Sequence, residues 1–226
     1  MSDRSLPPAI ARHLDRALLG EAREPRGVRL RQTGDMVQKP GGRRLEFKAV
    51  QQYATERVEF EWRASFGTNP LVRVRVTDRY RDGEGLLIAR IWGLVPATRN
   101  TGPETDRGEA MRYLAELPWV PFAMAANREL SWRELDDGEV EVSTLVGGVA
   151  ASVQLAFDDS GLIRRASAMR PRVADGAWVD TPWVGEFGEY VDLGGILVPA
   201  SAEARWELPG GPFVYWRGEV ASLAAE

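Results

Sequence analysis

From Val28 onward the chain alternates between apolar and polar residues, with a period of two over most of its length. Val28 and Leu30 oppose Arg29 and Arg31. Val58, Phe60 and Trp62 oppose Glu59, Glu61 and Arg63. Val72, Val74 and Val76 oppose Arg73, Arg75 and Thr77. Such alternation predicts half-buried strands, because successive side chains of a strand point to opposite faces of its sheet. Turn chemistry falls between the runs: "KPGG" at Lys39–Gly42, "RDGEG" at Arg81–Gly85, "DDG" at Asp136–Gly138 and "DDSG" at Asp158–Gly161. Short turns join antiparallel neighbours, so the pattern reads as a meander of about twelve strands, five before the central helix and seven after it. "PATRNTGPET" between the halves reads as a loop, and "PWVPFAMAAN" as irregular or a single turn.

Helical spacing appears in two places. Ile10, His13, Leu14, Ala17 and Leu18 recur at that spacing behind Pro7 and Pro8, which predicts a short N-terminal helix within residues 1–24. "DRGEAMRYLAEL" predicts a second helix over 106–117, with Asp106 as N-cap and Glu109 completing a capping box. No flexible linker or charge block divides residues 25–226, so they read as a single domain with that helix inserted. The fold class is mainly β with few helices. A sheet this long curls or splits, so the expected architecture is one large curved antiparallel sheet, or half-barrel, wrapped around the internal helix. A closed barrel or two stacked sheets is the alternative.

On a wheel, the 106–117 helix carries Ala110, Met111, Leu114 and Leu117 as its apolar stripe. Glu109, Arg112, Tyr113 and Glu116 form a neighbouring stripe, in which Arg112 can pair with either acid. If this stripe faces water, Glu116 is half of an exposed pair of small value. If the helix lies inside the sheet, Glu116 faces a cavity as a desolvated acid with a raised pKa.

Composition removes several chemistries. There is no cysteine and one histidine, His13, which excludes thiolate catalysis, disulfides and multi-histidine metal sites. His13 reads as a solvated or helix-packing residue. Neither a phosphate loop, a zinc spacing nor a nucleophile elbow occurs, and no cofactor or metal is expected. With 29 basic and 33 acidic residues, the charge balance makes no case for nucleic acid. No run of about 18 apolar residues predicts a membrane span. The N-terminus "MSDRSLPPAI" has no basic start followed by an apolar run, so the expected location is cytoplasmic.

"YLAELPWVPFAM", "LSW", "VGGVAASVQLAFDDSGLI" and "GGILVPASAEARWEL" together resemble a bacterial family without an assigned activity. The resemblance covers roughly residues 25 to 220 and falls on Leu114, Ala115, Glu116, Trp119, Pro121, Trp132, Gly161, Gly195, Pro199 and Trp206. It implies a fold like that of the LolA- and LolB-type lipoprotein carriers: a curved, unclosed antiparallel barrel with helices on its concave side. The leaderless N-terminus departs from those periplasmic carriers.

Eight tryptophans lie along the chain, and large aromatics can line an apolar cavity as readily as fill a core. The expected function is therefore binding of a hydrophobic small molecule or lipid. Trp62, Trp92, Trp119, Trp183, Tyr190 and Trp206 are the candidate wall, and Arg90 and Arg170, each embedded in apolar sequence, would anchor an anion. The alternative is a cofactor-independent hydrolase, isomerase or cyclase using Glu116, or Asp180 and Glu186, as general acid or base. A partner-binding domain would instead expose its tryptophans in one patch.

Overall fold

A computed structural model describes residues 6–19, 25–67, 74–91 and 95–226, and the side chains of all of these but 91 and 95–98. Helix α1 (Pro8–Ala17) is followed by β1 (Gly27–Met36), β2 (Leu45–Ala54), β3 (Phe60–Phe66), β4 (Val74–Arg81), β5 (Glu84–Ile91) and β6 (Val95–Asn100). Helix α2 (Pro103–Ala115), a 3-10 turn (Leu117–Trp119) and α3 (Pro121–Ala126) come next. The rest is β7 (Ser131–Glu134), β8 (Val140–Val146), β9 (Val149–Phe157), β10 (Ile163–Ala174), β11 (Ala177–Phe187), β12 (Tyr190–Asp192), β13 (Leu197–Pro199), β14 (Ser201–Leu208) and β15 (Gly211–Ala225).

Thirteen of these strands form one antiparallel sheet in the order β6-β5-β4-β3-β2-β1-β15-β14-β11-β10-β9-β8-β7, and β12 pairs with β13 apart from it. The two meanders join through β1 and β15, the first and last strands of the chain. The alternation predicts the strands well. Along β2, for example, Phe47, Ala49, Gln51 and Tyr53 are buried while Lys48 and Gln52 are exposed. The turns also behave as predicted: Asp82 and Gly83 both take positive φ, 53° and 82°, in the two-residue hairpin between β4 and β5. That backbone matches the twist of the flanking strands, and Asp-Gly is the pair that adopts it most cheaply.

The sheet order explains why the helices are inside. Strands β6 and β7 are the two opposite edges of the sheet, and α2, the turn and α3 are the connection between them. The chain crosses from edge to edge over the concave face, and α2 touches β4 and β5 of one wing and β8, β9 and β10 of the other. Helix α1 adds Ile10 and Ala17 to the same core and packs on α3 and β13. The architecture is the expected half-barrel around an internal helix; the closed barrel and the stacked sheets are not found.

Bending comes from bulges and glycines. Register shifts occur opposite Arg31/Gln32 of β1 and Ala204/Arg205 of β14, where β15 carries the extra residues Ala221 and Tyr215, and opposite Ala89/Arg90 of β5, where β6 carries one, and a bulge sharpens local bend and twist. Gly34 of β1 lies opposite Gly218 of β15, and a Cβ on Gly34 would sit 2.0 Å from the Arg217 carbonyl oxygen. The rings of Phe47 and Trp216 occupy the room that side chains there would need.

Several predicted boundaries are corrected. Helix α2 begins at Pro103, not Asp106, because Pro at the first position suits a helix start and the Asp106 carboxylate is turned to the Gly85 N–H, 2.7 Å away. The "PATRNTGPET" loop contains edge strand β6, whose Pro96 and lack of alternation conceal it. "PWVPFAMAAN" contains helix α3. Two long predicted strands break, separating β11 from β12 and β13 from β14. Val72 and Arg73 lie outside the described residues. His13 is not solvated: it is fully buried against the edges of Phe157 and Tyr190, and its Nδ1 accepts the Ile163 N–H at 3.4 Å. Burial, only partly offset by a hydrogen bond near Gly161 and the charge of Asp158, pushes its pKa down to about 4.

Candidate ligand cavity

The helix that crosses the concave face does not fill it. Between α2 and strands β3–β5, β10, β11, β14 and β15 lies a cavity of about 530 Å³. Six tryptophans border it: Trp62, Trp119, Trp178, Trp183, Trp206 and Trp216. The indole N–H groups of three of these are satisfied within the wall. Trp62 donates to Gln32 Oε1 at 3.1 Å, Trp119 to the Pro199 carbonyl at 2.9 Å and Trp183 to the Tyr215 hydroxyl at 3.0 Å. With its donor satisfied, an indole adds apolar ring surface to the wall and no unpaired N–H.

The stripe of α2 in question faces this cavity. Arg112 and Glu116 border it with side chains only 15% and 14% exposed. Arg112 Nε donates to Glu116 Oε1 at 2.9 Å, and its Nη1 pairs with Asp78 of β4. Glu116 Oε2 accepts Gln51 Nε2 at 2.6 Å and the Tyr53 hydroxyl at 3.0 Å. The guanidinium also lies over the rings of Phe60 and Trp62, 5.0 and 5.2 Å from their centroids. Burial works to lower the pKa of Arg112, but Glu116, Asp78 and Glu109 more than reverse this and raise it. Burial, then the charge of Glu116, pushes the Tyr53 phenol well up, so it serves as a donor.

The carboxyl whose pKa its surroundings push up is Glu109, one turn before Arg112 on α2. Burial first, then the charge of Asp78, pushes it well above the usual carboxylate range against the pull of Arg112 and Arg170. A protonated Glu109 is placed to donate to Asp78, Thr105 Oγ1 is buried without a hydrogen-bond partner among the described residues, and all three residues border the cavity. The cavity is thus largely apolar, with a polar wall formed by α2 and β4 and two arginines, Arg170 and Arg172, on β10.

Of the residues singled out from the sequence, Glu116, Trp62, Trp119, Arg170, Trp183 and Trp206 meet at this cavity. Others lie elsewhere. Arg90 is half-buried on β5 opposite Arg75, on the face away from cavity-lining Ala89. The Tyr190 hydroxyl donates to the Ile163 carbonyl at 2.7 Å beside His13. Asp180 pairs with Arg107. Glu186 pairs with Arg205 at 2.8 Å on the opposite face of β11, beside a more open, polar groove of about 1060 Å³ shared with Asp35, Lys48, Arg217 and Glu219. Trp92 lies outside the described residues. Among the described residues no group of three or more acidic or histidine side chains is placed to hold a metal, and no helix is long and apolar enough to cross a membrane.

The sequence reading missed Gln51, Tyr53, Asp78, Arg172 and Tyr215. A signal existed for two of them: Gln51 occupies an inward position in the alternation of β2, and Arg172 follows Arg170 by two on one strand face. Asp78 reaches Arg112 only through the fold.

Residues 2–218 match the model of DUF6544, a family of unknown function. No curated protein matches the sequence. Among solved structures, a DUF1329 family protein from Desulfovibrio piger matches with a TM-score of 0.50 and 11% identity, over 96% of this chain and 90% of that one. A LolA superfamily protein from Nitrosomonas europaea matches at 0.45 and 7%, over 96% and 92%. A domain from Vibrio parahaemolyticus named for outer membrane lipoprotein sorting matches at 0.48 and 9%, over 95% and 90%. The half-barrel implied by the sequence resemblance is the fold observed, and the DUF1329 protein shares it. The cytoplasmic location expected from the N-terminus is not upheld: one matched structure is a domain named for outer membrane lipoprotein sorting.

Proposed function

We propose that this chain, which belongs to the DUF6544 family, holds a hydrophobic small molecule or a lipid segment between α2 and the concave sheet. The supporting observation is the cavity of about 530 Å³ bordered by six tryptophans. The cavity opens partly to solvent, so a ligand can enter it. Small-molecule sites occupy roughly 300–1,000 Å³, are mostly apolar, and carry a few placed polar groups. The polar wall of Glu109, Asp78 and Thr105 supplies such groups.

The test is binding of the neutral probe N-phenyl-1-naphthylamine, with native mass spectrometry of the purified chain for a co-purified ligand. The probe should bind with blue-shifted emission. Ala89→Trp, which projects from β5 into the cavity, should weaken it at least tenfold with an unchanged circular dichroism spectrum. A probe that does not bind, or binds equally to both proteins, overturns the reading.

A second reading rests on Glu109. A carboxyl whose pKa burial pushes well up beside an apolar cavity is suited to donate a proton to a bound substrate. In that reading Glu109 is the acid. Glu116, whose oxygens already accept three hydrogen bonds, holds Arg112 in place, while Asp180 and Glu186 stand away from the cavity. Turnover of any apolar ester, epoxide or polyene that Glu109→Gln abolishes would favour this reading over simple binding.

A further inference from the structure

On the wall of the cavity facing α2, Arg170 and Arg172 project from one face of β10. They are two residues apart, about 7 Å along the strand. Each guanidinium lies over a tryptophan: Arg170 over Trp183, 4.9 Å from its centroid, and Arg172 over Trp206 at 5.8 Å. Trp183 and Trp206 are cross-strand partners on β11 and β14, and Tyr215 stacks on Trp206 while accepting the Trp183 indole N–H. The two cations are therefore mounted on one rigid aromatic block.

Among the described residues this block has no ion-pair partner within bonding distance; the nearest carboxyl in its field is Glu109. Among the described residues the cavity's other charges are engaged: Arg112 with Asp78 and Glu116, and Glu203 with Arg217 and Arg205. Glu109 is pushed toward its neutral form, and Glu104 sits partly exposed at the start of α2. Arg170 donates only to the Gly108 carbonyl, at 2.7 Å, which pins α2 to β10. Among the described residues neither Arg170 nor Arg172 has an ion-pair partner, and each keeps a buried Nε–H without an acceptor. Arg170 is 91% buried (relative exposure 9%), so this is a desolvated cation rather than a surface charge. A buried guanidinium without a carboxylate is an anion site, since its planar fork matches a two-oxygen anion.

We propose that Arg170 and Arg172 form a head-group subsite, and that the ligand is an amphiphile with an anionic carboxylate or phosphate head and an apolar body. The head lies between the two guanidinium groups, and the body runs along Trp183 and Trp206 toward Trp119 and Trp216. The subsite rests on the binding function proposed above and assigns the charge of its ligand.

The experiment is displacement of bound N-phenyl-1-naphthylamine by dodecanoate, dodecyl phosphate and dodecanol, the anions below their critical micelle concentrations and the alcohol below its solubility limit. Both anions, or one of them, should displace the probe at least tenfold more tightly than the alcohol, and the better anion identifies the head group. Arg172→Gln, at the less buried position, should remove most of that preference and leave dodecanol affinity within about twofold. Arg170→Gln should do the same if it folds, and Arg172→Lys should keep part of the preference. Equal displacement by alcohol and anions, or a preference that survives Arg172→Gln, overturns the subsite while leaving the apolar cavity standing. Failure of the probe itself to bind overturns the cavity reading instead.

Discussion

Replacing Arg112 by alanine tests whether the α2 stripe is a surface ion pair or the charged centre of the interior. The substitution strands two carboxylates at once. Asp78 and Glu116 both pair with this guanidinium, and their side chains are 8% and 14% exposed, well below the level at which solvent screening would dominate. Breaking a buried pair by removing one partner costs about 3–5 kcal/mol, because the other charge remains without compensation. The lost contacts with Phe60 and Trp62 add about 1 kcal/mol. A total of about 4–6 kcal/mol is a large part of the stability of a typical domain. In urea titrations followed by tryptophan fluorescence, the midpoint should fall by about 1–2 M. Glu116→Gln should cost much less, since Arg112 keeps Asp78 and the amide still accepts from Gln51 and Tyr53. A loss below about 1 kcal/mol for Arg112→Ala is the value of an exposed pair and would refute the placement of the stripe.

Two further stability predictions follow from individual residues. His13 has a folded pKa of about 4, below the unfolded value of about 6.5, so the unfolded chain takes up a proton that the folded chain refuses. Stability is therefore full above pH 6.5 and falls by about 3 kcal/mol as pH drops toward 4; urea midpoints across that range should show this slope, and His13→Gln should flatten it. Gly34→Ala would drive a Cβ to 2.0 Å from the Arg217 carbonyl at the tightest point of the β1–β15 contact. Backbone must move to relieve it, at a cost of about 2–3 kcal/mol, which a melt should report as a drop of about 5–10 °C.

Alternation and turn chemistry made the strands legible, because strand burial and two-residue hairpins are decided by neighbours within a few positions. Asp82–Gly83, Asp136–Gly138 and Asp158–Gly161 all sit in turns of the sheet, and Phe47, Ala49 and Tyr53 point inward as their period requires. Edge strand β6 and the six-residue helix α3 escaped, since a proline-bearing edge and a single short helix leave no period to read. Trp62, Trp183 and Trp206 on strands and Trp119 in the 3-10 turn were picked out as large aromatics able to line an apolar cavity, and they do meet at one.

The sequence by itself determined a cysteine-free, mainly antiparallel chain with one strong internal helix, and it placed Arg112 one turn from Glu116. Only the tertiary structure decided what that pair is for. The pairing of β1 with β15 joins the two meanders, and the edge-to-edge crossing of α2 turns its charged stripe inward against Asp78, Gln51 and Tyr53. Helical spacing says that two side chains can touch, but the dielectric around them is set by strands far away in the chain. Here those strands exclude water, so an ordinary i, i+4 pair becomes part of a cavity wall.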